Sequence, residues 1–223
     1  MNRRIQINEI AILNRETYKK DELPEIIYYL DTGNLNKNNI EYLQELKTAI
    51  DKIPSRAQRK VRNNTILYST VRPNQEHHGI IEKEIKDLIV STGFTTIDVT
   101  DEEVCPKYLY YLLIQNHLTN YLHSIAQNSV SSYPSISPND LGTLTFKIPE
   151  LYSQKQIAKV LSDLDAKIEV NNQINAKLEA MAKALYEYWF VQFDFPSPPT
   201  PKGEPYKRSP TNLLVVKWFL MMS

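Results

Sequence analysis

Residues Pro149 to Pro196 read PELYSQKQIAKVLSDLDAKIEVNNQINAKLEAMAKALYEYWFVQFDFP, with neither Pro nor Gly between the two end prolines. An uninterrupted run of roughly 40 residues is about 60 Å long as an α-helix, several times the average globular helix. Within it the seam runs Ile157, Leu161, Leu164, Ile168, then Asn171 and Asn175, then Leu178, Ala182, Leu185 and Trp189, in alternating steps of four and three. That alternation keeps one stripe facing a partner helix and defines a coiled coil. Ser153 and Gln156 make an S-x-x-Q capping box with Tyr152 and Ile157 as its staple, so the helix is expected to begin there. An antiparallel pair of identical helices centred near Gln173 sets Asn171 against Asn175, Ile168 against Leu178, Leu164 against Ala182 and Ile157 against Trp189. Two asparagines placed symmetrically about the midpoint fix register and orientation; a parallel pair stacking Asn171 on its own copy is the competing geometry.

Outward from the helix, residues 1–150 mix β-rich stretches (Arg4 to Leu13, Thr65 to Val71, Leu88 to Val99, Thr143 to Ile148) with helical ones (Glu41 to Lys52, Lys107 to Ala126 opened by Pro106). The fold class expected is therefore α/β (α+β): a globular domain at 1–150, followed by one long coiled-coil α-helix at 151–193. Gln127 to Asp140, dense in Ser, Asn and Pro, reads as a loop. From Asp194 the chain opens FPSPPTP, a stop for the helix, and residues 194–223 are expected to form a proline-rich, poorly ordered tail.

Composition excludes several function classes. Five glycines, the closest pair being Gly79 and Gly93, allow neither G-x-G-x-x-G nor G-x-x-x-x-G-K, so no phosphate loop can be written. One cysteine, Cys105, and four histidines without H-E-x-x-H spacing give no zinc signature. No nucleophile elbow or base-methylation loop is found, so no catalytic residue is assigned. The start has no apolar h-region, and the apolar run Leu213 to Met222 is too short to span a bilayer; a cytoplasmic protein without membrane contact is expected. With 26 basic and 26 acidic residues, nucleic-acid binding must rest on how the charge is distributed.

Two constellations carry such a distribution. KIPSRAQRKVR, Lys52 to Arg62, contains no acid, and its Arg56, Arg59, Lys60 and Arg62 are candidates for phosphate contact. Beyond it a strand-like run ends at Arg72 and Pro73 and is expected to expose Asn74, Gln75, His77 and His78. Arg, Asn and Gln have the donor and acceptor geometry that reads base edges in a major groove. Ser131, Ser132 and Tyr133, in the Ser-rich loop, are candidates for a second contact.

The stretch from LGTLTFKIP through the helix resembles the specificity subunits of type I restriction-modification systems. The likeness rests on the exit strand ending at Pro149, Gln154 to Leu161, Asp165 to Gln173, and the Trp-Phe-Val-x-Phe-Asp ending at Trp189 to Asp194. It implies a target recognition domain that reads half of a split double-stranded DNA site, and a spacer helix that docks methyltransferase subunits and, through them, a restriction/translocase subunit. It implies no cofactor in this chain, with S-adenosylmethionine, ATP and Mg2+ on the partner subunits. Family members carry two recognition domains and two helices, whereas this chain shows one of each, so a half-length form that pairs as an antiparallel homodimer is expected.

Overall fold

The computed structural model describes residues 3–19, 22–129 and 133–191; Ser131, Ser132 and the tail at 194–223 lie outside the described residues. The chain divides into two compact units, Met1–Ser162 and Asp163–Ser223, with the division inside one continuous helix.

The first unit runs β1 (Arg3–Gln6), α1 (Ile7–Ile10), β2 (Ala11–Leu13), β3 (Ile26–Leu30), β4 (Leu35–Asn36), β5 (Asn39–Ile40), β6 (Gln44–Lys47), β7 (Ala57–Lys60) and β8 (Ile66–Ser69). It continues through β9 (His78–Ile80), β10 (Leu88–Ser91), β11 (Phe94–Val99), α2 (Pro106–Leu113), α3 (Asn116–Gln127), α4 (Pro138–Gly142) and β12 (Thr145–Ile148) into α5 (Leu151–Tyr186). Two four-stranded sheets form the body, in the orders β2-β11-β8-β9 and β6-β3-β10-β7. Among the described residues the only parallel pair in them is β3 with β10. The turn at Thr92–Gly93 carries the chain from one sheet to the other.

Period-two alternation builds the layers. Ile66 and Tyr68 of β8 face the helices together with Ile97, Leu109, Leu113 and Leu122. Leu67, between them, faces the other sheet and packs with Phe94, Leu30, Leu88 and Val90. On β10, Ile89 points the opposite way from Leu88 and Val90, into a third cluster with Ile27, Tyr29 and Leu46. Each fully buried Ile or Leu contributes on the order of 1.5–3 kcal/mol, so this three-layer alternation holds the two sheets in register.

Local expectations changed where tertiary pairing overrode them. Glu41 to Lys52, expected helical, contains β6, because Gln44–Lys47 pairs antiparallel with Ile26–Tyr29 and buries Leu46. The helix expected over Lys107 to Ala126 is two helices, α2 and α3, separated at Ile114–Gln115. One turn of helix, α1, interrupts the strand expected at Arg4 to Leu13. The long helix starts at Leu151, ahead of the expected capping box; Tyr152 is exposed rather than stapled.

The start of α5 is tied down by a different residue. Gln154 is 1% exposed. Its side-chain amide donates to the carbonyls of Glu103 (3.0 Å) and Pro149 (2.8 Å), and its Oε1 accepts from the Cys105 amide (2.9 Å). Ala158, one turn on, is the other buried residue of the helix. Beside this junction Arg3 pairs with Asp101 and Glu103, each at 2.8 Å, and the Glu103 amide, then Arg3, hold the Asp101 carboxyl below its usual pKa.

In the second unit α5 runs on to Tyr186 and ends in one π-helical turn, Glu187–Val191. Leu164, Ile168, Leu178 and Leu185 of the seam are 50%, 57%, 56% and 47% exposed. Among the described residues no helix is long and apolar enough to cross a membrane.

Candidate nucleic-acid interface

One end of the sheets gathers most of the expected base-reading residues. Strand β8 ends at Ser69, and the chain then passes Thr70 and Val71 to Arg72, whose backbone is left-handed (φ 49°, ψ 67°). Pro73 to Gln75 make a 3-10 turn; Pro73 is buried beneath it while Arg72, Asn74 and Gln75 are exposed. Glu76 closes the turn, again left-handed at φ 54°. A non-glycine residue in that region costs on the order of 1–2 kcal/mol, so two of them within five residues need support from outside the turn.

That support comes from three sides. The β4–β5 hairpin lies along Glu76–Ile80: the Lys37 and Asn38 amides donate to the Glu76 and His78 carbonyls at 3.3 and 2.8 Å. The Ile80 amide donates to Asn38 Oδ1 at 2.8 Å, and Lys37 Nζ lies 2.6 Å from Glu76. From a second side, Val71 bridges Ser135, the Arg72 amide donates to the Pro134 carbonyl and the Ile136 amide to the Thr70 carbonyl, both at 2.9 Å. From the third, α3 packs beside the 3-10 turn.

Arg56 belongs to the same end. Its carbonyl accepts from the Thr92 amide at 2.9 Å, and the adjacent Gly93 carbonyl accepts from the Thr70 amide at 2.9 Å. A Cβ at Gly93 would stand 2.8 Å from the Thr32 methyl, so a larger residue there would have to displace that side chain. The remaining basic residues of the Lys52–Arg62 run are not brought to this end. Lys60 and Arg62 lie at the other end of the sheets, where Arg62 pairs with Glu16 and Lys60 Nζ sits 4.0 Å from Glu22 and 4.3 Å above the Tyr18 ring. Strand β8 separates the two ends, about 13 Å at ~3.3 Å per residue. Arg59 is half-buried beside Val90 of β10, with its Nε buried and unpaired, and burial lowers its pKa. The acid-free run in sequence is thus not an acid-free patch in space.

The two histidines are also redistributed. His77 is partly exposed and its Nδ1–H donates to the Leu35 carbonyl at 2.7 Å. His78, expected to be exposed, is buried at 5% exposure between Tyr68 and Tyr110, with Nδ1 3.2 Å from the Tyr110 hydroxyl. Burial lowers its pKa to about 4, so it is a neutral core residue at pH 7. The reason is β-alternation: with β9 paired to β8, His78 stands opposite Tyr68, on the face turned to the helices. Tyr133 is exposed, and the Arg72 guanidinium carbon lies 5.4 Å from its ring centroid.

Asn38 and Gln154 are supporting residues that sequence reasoning missed. The run Asn36 to Asn39 is a tight-turn signal that would have located the hairpin; nothing local marks Gln154, whose partners lie up to 51 positions away.

The helix that follows this domain carries an exposed apolar seam. The family described as "type I restriction modification DNA specificity domain" matches residues 4–180. The specificity subunit of the HindI type I restriction enzyme of Haemophilus influenzae is 33% identical over 168 residues, 75% of this chain and 36% of that subunit. The MjaIX specificity subunit of Methanocaldococcus jannaschii is 32% identical over 107 residues, 48% of this chain and 24% of that one. Among solved structures, the HsdS subunit of Thermoanaerobacter tengcongensis superposes with a TM-score of 0.65 at 21% identity, over 89% of this chain and 52% of that one. The S subunit from M. genitalium gives 0.54 at 16% identity, over 87% and 46%. The chain belongs to the type I restriction-modification DNA specificity family, and it spans about a third of the HindI subunit and about half of each solved chain.

Proposed function

We propose that this chain is the non-catalytic DNA-recognition subunit of a type I restriction-modification complex, and that it dimerises antiparallel through Ile157–Trp189. Two copies carry two recognition domains, which read the two halves of a gapped palindrome. The observation that carries this reading is the seam: its aliphatic side chains stand about half exposed along a 36-residue helix. Covering them at ~25 cal/mol per Å2 favours association, and the paired asparagines select the antiparallel register. Helices overlapping over about 50 Å set half-site centres on the order of one to one and a half DNA turns apart.

A second apolar row, Val160, Ile174, Met181 and Tyr188, recurs at multiples of seven beside the seam and is also exposed. It supports docking of methyltransferase subunits, and through them a restriction/translocase subunit, on a face that the dimer leaves open. On this reading S-adenosylmethionine, ATP and Mg2+ belong to those subunits, and the complex is cytoplasmic. Arg72, Asn74 and Gln75 meet bases, Arg56 meets phosphate at the same end, and Ser131 and Ser132 supply a second contact.

The pairing of Lys60 with Glu22 and of Arg62 with Glu16 favours a second reading, a coiled-coil scaffold that binds partner subunits without reading DNA. Light scattering on the protein alone and with its methyltransferase, followed by random-library DNA selection on the complex, separates the two. The recognition reading expects twice 25.9 kDa, about 52 kDa, and enrichment of a gapped palindrome. A dimer that joins the methyltransferase but enriches nothing is the scaffold; a monomer overturns the pairing.

A further inference from the structure

Resting on the reading of Arg72 as a base contact, we infer that Tyr133 is the positioning residue that holds the Arg72 guanidinium ready for a guanine edge. Backbone geometry makes the juxtaposition independent of either side chain. The Val71–Ser135 bridge and the bonds from the Arg72 amide to Pro134 and from the Ile136 amide to Thr70 stitch residues 134–136 onto residues 70–72. Tyr133 therefore arrives next to Arg72 although the two are far apart in sequence. The left-handed backbone at Arg72 aims its side chain away from the direction β8 would have continued. The 5.4 Å from guanidinium carbon to ring centroid lies within the ~6 Å at which a cation is attracted to an aromatic face.

The chemistry suits base reading better than phosphate contact. A guanidinium drawn to an aromatic face spends no N–H donor on that contact, so the fork that matches guanine O6 and N7 stays available. A phosphate contact requires charge at a place; a bidentate base contact requires a plane at an angle. Among the described residues no carboxylate competes for the fork and no ion pair involves Arg72; Glu76, which closes the same turn, is held by Lys37 at 2.6 Å. Both Arg72 and Tyr133 are exposed, so removing the ring leaves the core untouched.

The test uses the complex with its methyltransferase and two probes, a duplex isolated by random-library selection on the wild-type complex and a scrambled duplex of the same composition. Tyr133→Ala is expected to lower the ratio of the two affinities roughly two- to five-fold, the range of an exposed cation–π contact, leaving the scrambled-duplex affinity and its salt slope unchanged. Tyr133→Phe is expected to retain the wild-type ratio. In an Arg72→Ala background, Tyr133→Ala is expected to add nothing, because a residue acting through Arg72 has nothing left to orient. In the free protein the Arg72 Nε–H resonance should carry a ring-current shift that Tyr133→Ala abolishes and Tyr133→Phe keeps. An equal loss from Tyr133→Ala with and without Arg72 would make Tyr133 an independent DNA contact and overturn the inference. So would an unchanged ratio in Tyr133→Ala when Arg72→Ala lowers it. An unchanged ratio in Arg72→Ala, or a selection that enriches nothing, overturns the base-reading role of Arg72 itself, and the inference falls with it.

Discussion

Replacing Gln154 by Leu keeps the volume of the side chain and deletes all three of its hydrogen bonds. The substitution leaves the Cys105 amide and the carbonyls of Glu103 and Pro149 without the partners they have at 2.9, 3.0 and 2.8 Å, at a position 1% exposed. A buried polar group that loses its partner costs about 1–3 kcal/mol. Carbonyls are more tolerant than amides, so the low end applies to two of the three, and the sum is about 3–5 kcal/mol. For a chain of this size that corresponds to a fall in Tm of roughly 6–20 °C. The assay is urea unfolding followed by far-ultraviolet circular dichroism at fixed protein concentration, because association adds to apparent stability. Gln156→Leu is the control. The capping box expected from the sequence puts Gln156 in the structural role, whereas the structure exposes it, so its loss should stay within about 0.5 kcal/mol. A Gln154→Leu protein within 1 kcal/mol of wild type, or a larger effect from Gln156→Leu, would refute the junction.

Three further outcomes are expected. His78 is depressed to about 4 in the fold, so the unfolded chain takes up its proton first as pH falls; the stabilisation is intact above about pH 6.5 and is lost between 6.5 and 4. The total is about 3 kcal/mol at 1.36 kcal/mol per pH unit, and His78→Gln should remove that slope from urea midpoints measured at pH 7, 5.5 and 4. Leu164→Asp with Leu178→Asp places charges in the seam and should convert the mass measured by light scattering from dimer to monomer, with the circular dichroism of the first unit retained; a surviving dimer would move the interface off the seam. Arg72→Ala should cost about 1–3 kcal/mol on the selected duplex and relax preference at one position. Equal weakening on scrambled DNA would demote it to a phosphate contact.

What the sequence determined by itself was local. A helix is made by bonds from each residue to the fourth before it, so the absence of Pro and Gly from Leu151 to Phe195 and the four-three spacing of Ile157 to Trp189 were sufficient to announce α5 and its open seam. The turn at Arg72–Pro73 was legible for the same reason: a strand-like run meets a proline that cannot continue it. What only the tertiary structure decided was every property that depends on a distant partner. Glu16 lies 46 positions from the Arg62 it neutralises, and the acid-free run gave no sign of it. Strand β6 exists because β3 is there to pair with it, and its own propensities read as helix. His78 is buried because β8 lies alongside β9 and α2 closes over it. Tyr133 reaches Arg72 through a backbone bridge across a segment whose composition announced only a loop. Periodicity is written along the chain and can be read from it, whereas charge neutralisation, burial and the aiming of a side chain are set by which surfaces the fold brings together.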